Sequence, residues 1–241
     1  MNSTQHSERR FPMDSHRFQA VIFDLDGTLL DTLHDLGDSM NRMLQRHGWP
    51  AHPPSSYKMF VGNGARKLIE RAVPANRHSP EVLDQCYREF IEDYRQNWAK
   101  KTAPYAGIPE VIDSLYARGI RMSVLSNKIH DFTVRCVERF LAPEKFQFIF
   151  GERPGIPRKP DPAGALEIAK KTGIAPENTV YVGDTAIDMQ TGTAAGMYTV
   201  GVLWGFRSRQ ELEENGAMHI VGKPEELLNV ICRQQTKDKS A

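Results

Sequence analysis

The sequence predicts an α/β protein built on a parallel sheet, with a small helical unit inserted near its start. Three observations predict it. From residue 108 onward, short apolar runs alternate with segments whose apolar residues recur at helical spacing. A further apolar run, Ala20-Val21-Ile22-Phe23, stands apart near the N-terminus. The first seventy or so residues after it carry helical spacing and no strong strand signal. Strands separated by amphipathic helices bury both faces of their sheet, which is the doubly wound, Rossmann-like arrangement.

The elements follow in order. Ala20 to Phe23 reads as a short buried strand that ends in turn chemistry. Leu33, Leu36, Met40, Met43 and Leu44 share one helical face, and Gly48 with Pro50, Pro53 and Pro54 ends that helix. A second helix is expected from Gly64 to Val73. A third starts at Pro80 and carries the stripe Leu83, Tyr87, Phe90, Ile91 and Tyr94. Such stripes can only be buried against one another, so these helices form a bundle inserted into the α/β unit.

The link from Lys101 to Gly107 returns the chain to the core, and this link and the segment near Leu30 to Leu33 are the expected hinges. Then come helix 109–118, strand 120–125, helix 132–141, strand 146–150, helix 162–172, strand 179–182, helix 187–195 and strand 198–202. The expected division is an N-terminal extension over 1–16, a core over 17–31 and 104–241, and a helical cap over 32–103. The extension and the tail from Arg233 to Ala241 are polar, and both read as loose.

Chemistry concentrates at the ends of the apolar runs. The first is followed by Asp24-Leu25-Asp26-Gly27-Thr28. Two carboxylates at the end of a buried strand repel each other and lose water unless a cation or donors meet them. Gly27 permits a sharp turn, and Thr28 adds a hydroxyl. A polar Asp-Gly turn is the plainer reading of this pattern alone. Ser126-Asn127-Lys128 follows the strand ending at Leu125, and there a hydroxyl and an amide can donate to a phosphate. The same two residues suit an ordinary helix N-cap equally well.

Lys159-Pro160 lies in a basic loop, where an ammonium group offsets charge on a carboxylate and a phosphoryl group. Asp161 and Pro162 read as a helix start. Gly183-Asp184-Thr185-Ala186-Ile187-Asp188 follows the strand ending at Val182. Its two acids, four apart, share a helical face and suit the positive end of the helix dipole. A hard Mg²⁺ takes oxygen ligands and keeps waters, so Asp24 and Asp184 with one backbone carbonyl would suffice. All four motifs map to the carboxyl edge of the sheet, where such folds bind ligands.

In this order the four motifs resemble those of the haloacid dehalogenase-like hydrolases, and the form with Gly27-Thr28 resembles the phosphatases among them. The resemblance runs from about Phe18 to about Val230. It implies an aspartyl-phosphate mechanism in which Asp24 attacks phosphorus and Asp26 protonates the leaving oxygen and later activates water. The residue directly before proline, Lys159, takes the charge-balancing role. Thr28, Ser126 and Asn127 are implied phosphate contacts. The resemblance also assigns the metal-binding carbonyl to Asp26 and sets Asp188 behind the metal or on it through water. The helical insert directly after the first motif matches the family's cap.

Within that insert, Phe60-Val61-Gly62-Asn63-Gly64-Ala65-Arg66-Lys67 resembles the corresponding loop of bacterial phosphoglycolate phosphatases, as does Gly201-Val202-Leu203-Trp204-Gly205-Phe206. Asn63 and Arg66 are the insert residues expected to meet substrate, Arg66 through a carboxylate or phosphate. The expected function is Mg²⁺-dependent hydrolysis of a small phosphomonoester, with 2-phosphoglycolate as first candidate. A pyrophosphatase, a sugar-phosphate phosphatase and a β-phosphoglucomutase-like phosphotransferase are the alternatives, and Thr28 disfavours the last. A phosphonoacetaldehyde hydrolase would need a cap lysine, for which Lys58 and Lys67 are available. A non-catalytic descendant would have lost Asp24, Asp26, Lys159 or Asp184, and all four are present.

Composition narrows the partners. With 31 basic and 30 acidic residues there is no basic stripe for nucleic acid and no cationic segment for a membrane surface. The three cysteines are scattered and the eight histidines show no metal-binding spacing. Without a signal-like apolar N-terminal segment, the expected location is cytoplasmic, and the expected partner is a small phosphorylated metabolite. Oligomeric state is not legible.

Overall fold

β1 (Ala20–Phe23) is buried at every residue because it lies in the middle of a parallel sheet. The computed structural model of the chain describes residues 18–232, so the readings of the N-terminal extension and the C-terminal tail lie outside the described residues. After β1 come β2 (Leu30–Asp31), α1 (Leu33–Arg46), α2 (Pro54–Phe60), α3 (Ala65–Ala72), α4 (Pro80–Asn97) and β3 (Ala103–Pro104). The alternating part follows as α5 (Ile108–Ala117), β4 (Arg121–Ile129), α6 (His130–Phe140), β5 (Phe146–Glu152) and α7 (Ala163–Thr172). It ends with β6 (Thr179–Gly183), α8 (Ala186–Ala194), β7 (Tyr198–Val202), α9 (Arg209–Glu214), β8 (His219–Val221) and α10 (Glu226–Ile231).

The main sheet has six parallel strands in the order β5-β4-β1-β6-β7-β8. Winding therefore runs outward from β1 in both directions, and helices cover both faces. Alternation along β1 assigns its residues to opposite layers. Val21 and Phe23 pack with Val111, Leu115, Leu227 and Ile231 on one side. Ile22 packs with Ala165, Ile168 and Tyr181 on the other.

α1 to α4 bury their stripes in a cluster of their own, built on Met40, Met43, Tyr57, Ile69, Phe90 and Tyr94. Phe132 from α6 and Phe206 from the loop after β7 join this cluster, so the insert is seated on the main sheet's carboxyl edge. The two chain crossings are joined. Leu30 pairs with Pro104 and Asp31 with Ala103 in an antiparallel two-stranded piece. Beside them the buried Asp35 carboxylate accepts from Lys101 N, Thr102 N and the Thr102 hydroxyl at 2.8–3.0 Å.

Several elements depart from the sequence expectation. α2 was hidden by Pro53 and Pro54, which read as a break; Pro54 instead occupies the first helical turn, where its missing N–H costs nothing. β4 continues past Leu125 to Ile129 with a register shift against β5, so Ser126 and Asn127 belong to the strand and do not cap α6. β8 and its two short flanking helices are too brief to show a period. Among the described residues no helix is long and apolar enough to cross a membrane. Cys86, Cys136 and Cys232 are unpaired, and the first two are buried.

Candidate active site

The backbone of Asp24 continues the β1 ladder by donating to Val182 O at 2.9 Å, which delivers its side chain to the carboxyl edge of the sheet. The chain then turns on itself, with the N–H groups of Thr28, Leu29 and Leu30 all directed at Leu25 O. Gly27 sits at φ +87°, and a Cβ there would lie 2.4 Å from Asp184 Oδ2. Only glycine both adopts that backbone and lets the loop approach Asp184 so closely. The Thr28 hydroxyl donates to Asp184 Oδ1 at 3.1 Å, and Phe206 N donates to Oδ2 at 2.8 Å. Trp204 Nε1 donates to Thr28 O at 2.9 Å and so braces the turn from the other side.

Asp24, Asp184 and Asp188 place carboxylate oxygens within 4.8 Å of one another, all three residues buried. Lys159 Nζ stands 2.8 Å from Asp24 Oδ1 and 2.7 Å from Asp188 Oδ1. The contact to Asp24 is an ion pair without hydrogen-bond alignment, which leaves that oxygen lacking an aligned donor. The other oxygen of Asp188 accepts from Thr185 N at 3.1 Å and Thr185 Oγ1 at 2.6 Å, a reciprocal cap at the start of α8.

Burial, and then the charge of Asp188, push the Asp24 carboxyl up to about 7 despite Lys159. Burial with Asp188 and Asp24 raises Asp184 well above the usual carboxylate range. Burial pulls the Lys159 ammonium down, but the facing Asp188 and Asp24 outweigh it and hold it above the ordinary lysine range. With all three ionised, the carboxylates around one ammonium carry two negative charges in excess, which is why protons are held there when no cation is. That excess, an all-oxygen donor set and an oxygen without an aligned donor fit a hard divalent cation such as Mg²⁺.

Asp26 opens on the other side of the turn. Its carboxylate receives Lys128 Nζ at 3.0 and 3.2 Å, and the same ammonium lies 2.9 Å from the Tyr94 hydroxyl on α4. Burial pulls the Lys128 ammonium down, and Asp26 with Tyr94 more than offsets it, so it stays above the ordinary lysine range. Asp24, Asp26, Ser126 and Lys128 line a narrow cavity of about 50 Å³ between core and insert. Leu36, Leu68, Phe90 and Ile91 make up much of its insert side.

The structure distributes the sequence-predicted residues unevenly. Asp24, Asp26, Ser126 and Asn127 meet at the cavity, with Lys159, Asp184 and Asp188 behind Asp24. Thr28 is fully buried and spends its hydroxyl on Asp184. The Asn127 amide clamps the main chain of Lys159, accepting from its N at 2.9 Å and donating to its O at 3.0 Å, and also donates to Gly62 O on the insert at 3.1 Å. Asn63 and Arg66 are not brought to the cavity lining. Arg66 pairs with Asp84 at 2.6 Å on the surface, its guanidinium over the Tyr87 ring.

Lys58 and Lys67 do not line the cavity either. Sequence reading passed over Lys128, Tyr94 and Arg207. Lys128 stood within Ser-Asn-Lys, and Tyr94 within a helical stripe that signals only burial. Arg207 carried no local signal; its guanidinium holds the carbonyls of Lys58 and Val61, tying the insert to the loop after β7.

Comparison with known proteins identifies the family. Residues 21–202 match the model of a family described as haloacid dehalogenase-like hydrolase. A phosphoglycolate phosphatase of Psychrobacter arcticus is 31% identical over 202 residues, which cover 81% of this chain and 88% of that one. An N-acetylmuramic acid 6-phosphate phosphatase of Pseudomonas aeruginosa is 32% identical over 222 residues, covering 92% and 98%. A crystal structure of a candidate phosphoglycolate phosphatase from Lactobacillus delbrueckii subsp. bulgaricus superposes with a TM-score of 0.83 at 32% identity, covering 89% of this chain and 98% of that one.

Proposed function

This chain belongs to the haloacid dehalogenase-like hydrolases and is a phosphatase, and from that premise we propose that it hydrolyses a small phosphomonoester through a phosphoryl group carried on Asp24. The observation that supports this most is the division of labour around one turn. Asp24 faces Lys159 and the acidic cluster, while Asp26, two residues on, opens into the same cavity beside Lys128.

In the proposed reaction a carboxylate oxygen of Asp24 attacks phosphorus as the bond to the leaving oxygen breaks, and Asp26 gives that oxygen its proton. Asp26 then takes a proton from water as the water attacks the phosphoaspartyl phosphorus. Inorganic phosphate leaves and the Asp24 carboxylate is regenerated. Lys159 balances charge on Asp24 throughout, and Asn127 holds Lys159 in place through its main chain. Backbone N–H groups near Ser126, with its hydroxyl, are the proposed phosphate contacts.

Mg²⁺ would be held by Asp24, Asp184 and the Asp26 carbonyl, and it would supply charge for the phosphoryl oxygens. Asp188, whose oxygens are bonded to Lys159 and Thr185, would lie behind it. The helical insert, seated over the cavity, would act as the cap that excludes water and reads the leaving group.

2-Phosphoglycolate is the first candidate substrate. A phosphosugar is the second, because the apolar side chains on the insert side suit a larger leaving group. Lys128 is moreover the only ammonium or guanidinium group among the described residues lining the cavity, so a substrate carboxylate would have to share it with Asp26. Phosphate release with Mg²⁺ across small phosphomonoesters, hexose and hexosamine phosphates and pyrophosphate tests both. A kcat/KM led by 2-phosphoglycolate supports the first, and one led by a sugar phosphate supports the second. Release from none overturns the phosphomonoester reading.

A further inference from the structure

We propose that Lys128 and Tyr94 are positioning residues for Asp26: Lys128 aims the Asp26 carboxyl group at the leaving oxygen, and Tyr94 makes that aim depend on the insert being seated. The inference rests on the phosphatase mechanism given above and adds two residues to it. Asp26 comes from the turn after β1, Lys128 from the last part of β4, and Tyr94 from α4 of the insert. Their polar atoms meet at 2.9–3.2 Å, with the Lys128 and Asp26 side chains only 5% and 12% exposed.

A buried ammonium is costly unless its N–H groups are matched, so these two partners are what allow Lys128 to sit there. The ammonium reaches both oxygens of Asp26, which fixes the direction in which the carboxyl group points. Tyr94 is itself held across the boundary. Its ring stacks on Phe90 of the insert at 5.5 Å and meets Phe132 of α6 edge-on at 4.9 Å. Displacing the insert would remove the Tyr94 hydroxyl from Lys128, admit water to the pair and free Asp26 to turn. Proton delivery to the leaving oxygen is thereby confined to the seated state, in which the substrate is enclosed.

Leaving groups separate this role from a merely structural one. p-Nitrophenolate departs without needing a proton, whereas an alkoxide needs one as its bond to phosphorus breaks. The test compares Mg²⁺-loaded wild-type, Lys128→Met and Tyr94→Phe proteins on p-nitrophenyl phosphate and on the alkyl monoester that wild-type turns over best. Lys128→Met is expected to lower kcat/KM, which reports only the steps up to leaving-group departure, by about 100-fold for the alkyl ester and by less than about threefold for p-nitrophenyl phosphate. Tyr94→Phe keeps both ring contacts and is expected to show the same pattern at about five- to tenfold.

Equal losses in kcat/KM on the two esters, or no loss in either variant, would overturn the inference while leaving the phosphatase reading intact. A change confined to KM for an anionic leaving group would assign Lys128 to substrate binding and would also overturn it. Release from neither ester by the wild-type protein would remove the phosphatase mechanism and this inference together.

Discussion

The Thr28 hydroxyl donates to Asp184 Oδ1 at 3.1 Å, joining two residues that stand 156 positions apart in the chain. With Phe206 N on the other oxygen, it fixes the orientation of a carboxylate that burial and two neighbouring acids would otherwise leave without support. Groups that orient a metal-binding carboxylate are typically worth 10- to 100-fold in metal affinity. Thr28→Val should therefore raise the Mg²⁺ concentration for half-maximal phosphate release by about tenfold with a smaller change in saturated kcat. A Mg²⁺ titration at saturating substrate checks it, and an unchanged midpoint would return Thr28 to a direct phosphate contact.

Asp24→Asn should abolish turnover while the circular dichroism spectrum stays that of the wild type, because the variant loses its nucleophile without losing volume. Phosphate release at ordinary rates would remove Asp24 from the mechanism.

The same carboxyl group predicts a pH dependence without metal. Its folded value of about 7 lies above its ordinary 3.8, so the folded state holds the proton more tightly than the unfolded state. Stability of the metal-free protein should fall as pH rises from about 4 to about 7, as the buried charge appears. Asp24→Asn should flatten that fall. Mg²⁺ should raise the Tm more at pH 8 than at pH 5, where protons compete with it. Thermal melts with and without metal across this range measure all three, and a rising metal-free curve would contradict the assignment.

Asp35 ties the two crossings of the chain by accepting from Lys101 N, Thr102 N and the Thr102 hydroxyl. Asp35→Ala leaves these donors without their acceptor and should cost about 2–4 kcal/mol in urea denaturation. Asp35→Asn, which keeps one acceptor oxygen, should recover part of the loss. An alanine variant as stable as wild type would mean that the strand pair alone holds the crossings.

Asn127→Ala removes the clamp on the Lys159 main chain without touching the ammonium group. Misplacing a charge-balancing group by a fraction of an ångström should lower kcat roughly 10- to 100-fold. Steady-state kinetics with Mg²⁺ present checks this, and a change in KM alone would indicate that Asn127 holds substrate.

Strand ends carry strong local signals, and most of the sheet was legible from them. Ala20 to Phe23 and Thr179 to Val182 are apolar because parallel strands are buried on both faces, and the acids after them stand out against that background. β8 was not legible, since three residues are too few to show a period. α2 was masked by prolines that serve equally as a stop or a start. Ser126 and Asn127 were expected just beyond a strand ending at Leu125, whereas β4 carries them on to Ile129, an outcome that goes with the register shift between β4 and β5.

The sequence by itself determined the fold class and placed four polar motifs at the carboxyl edge, because hydrophobic period and turn chemistry act over a few neighbouring residues. Only the tertiary structure decided how those residues are used. It turns Thr28 toward Asp184, Asn127 toward Lys159 and Arg66 outward to Asp84, and it brings Lys128 between Asp26 and Tyr94. Several of these contacts join residues more than thirty positions apart, and in each case the outcome is set by which partner can satisfy a buried polar group. That is a property of the packed neighbourhood, and no local stretch of sequence contains it.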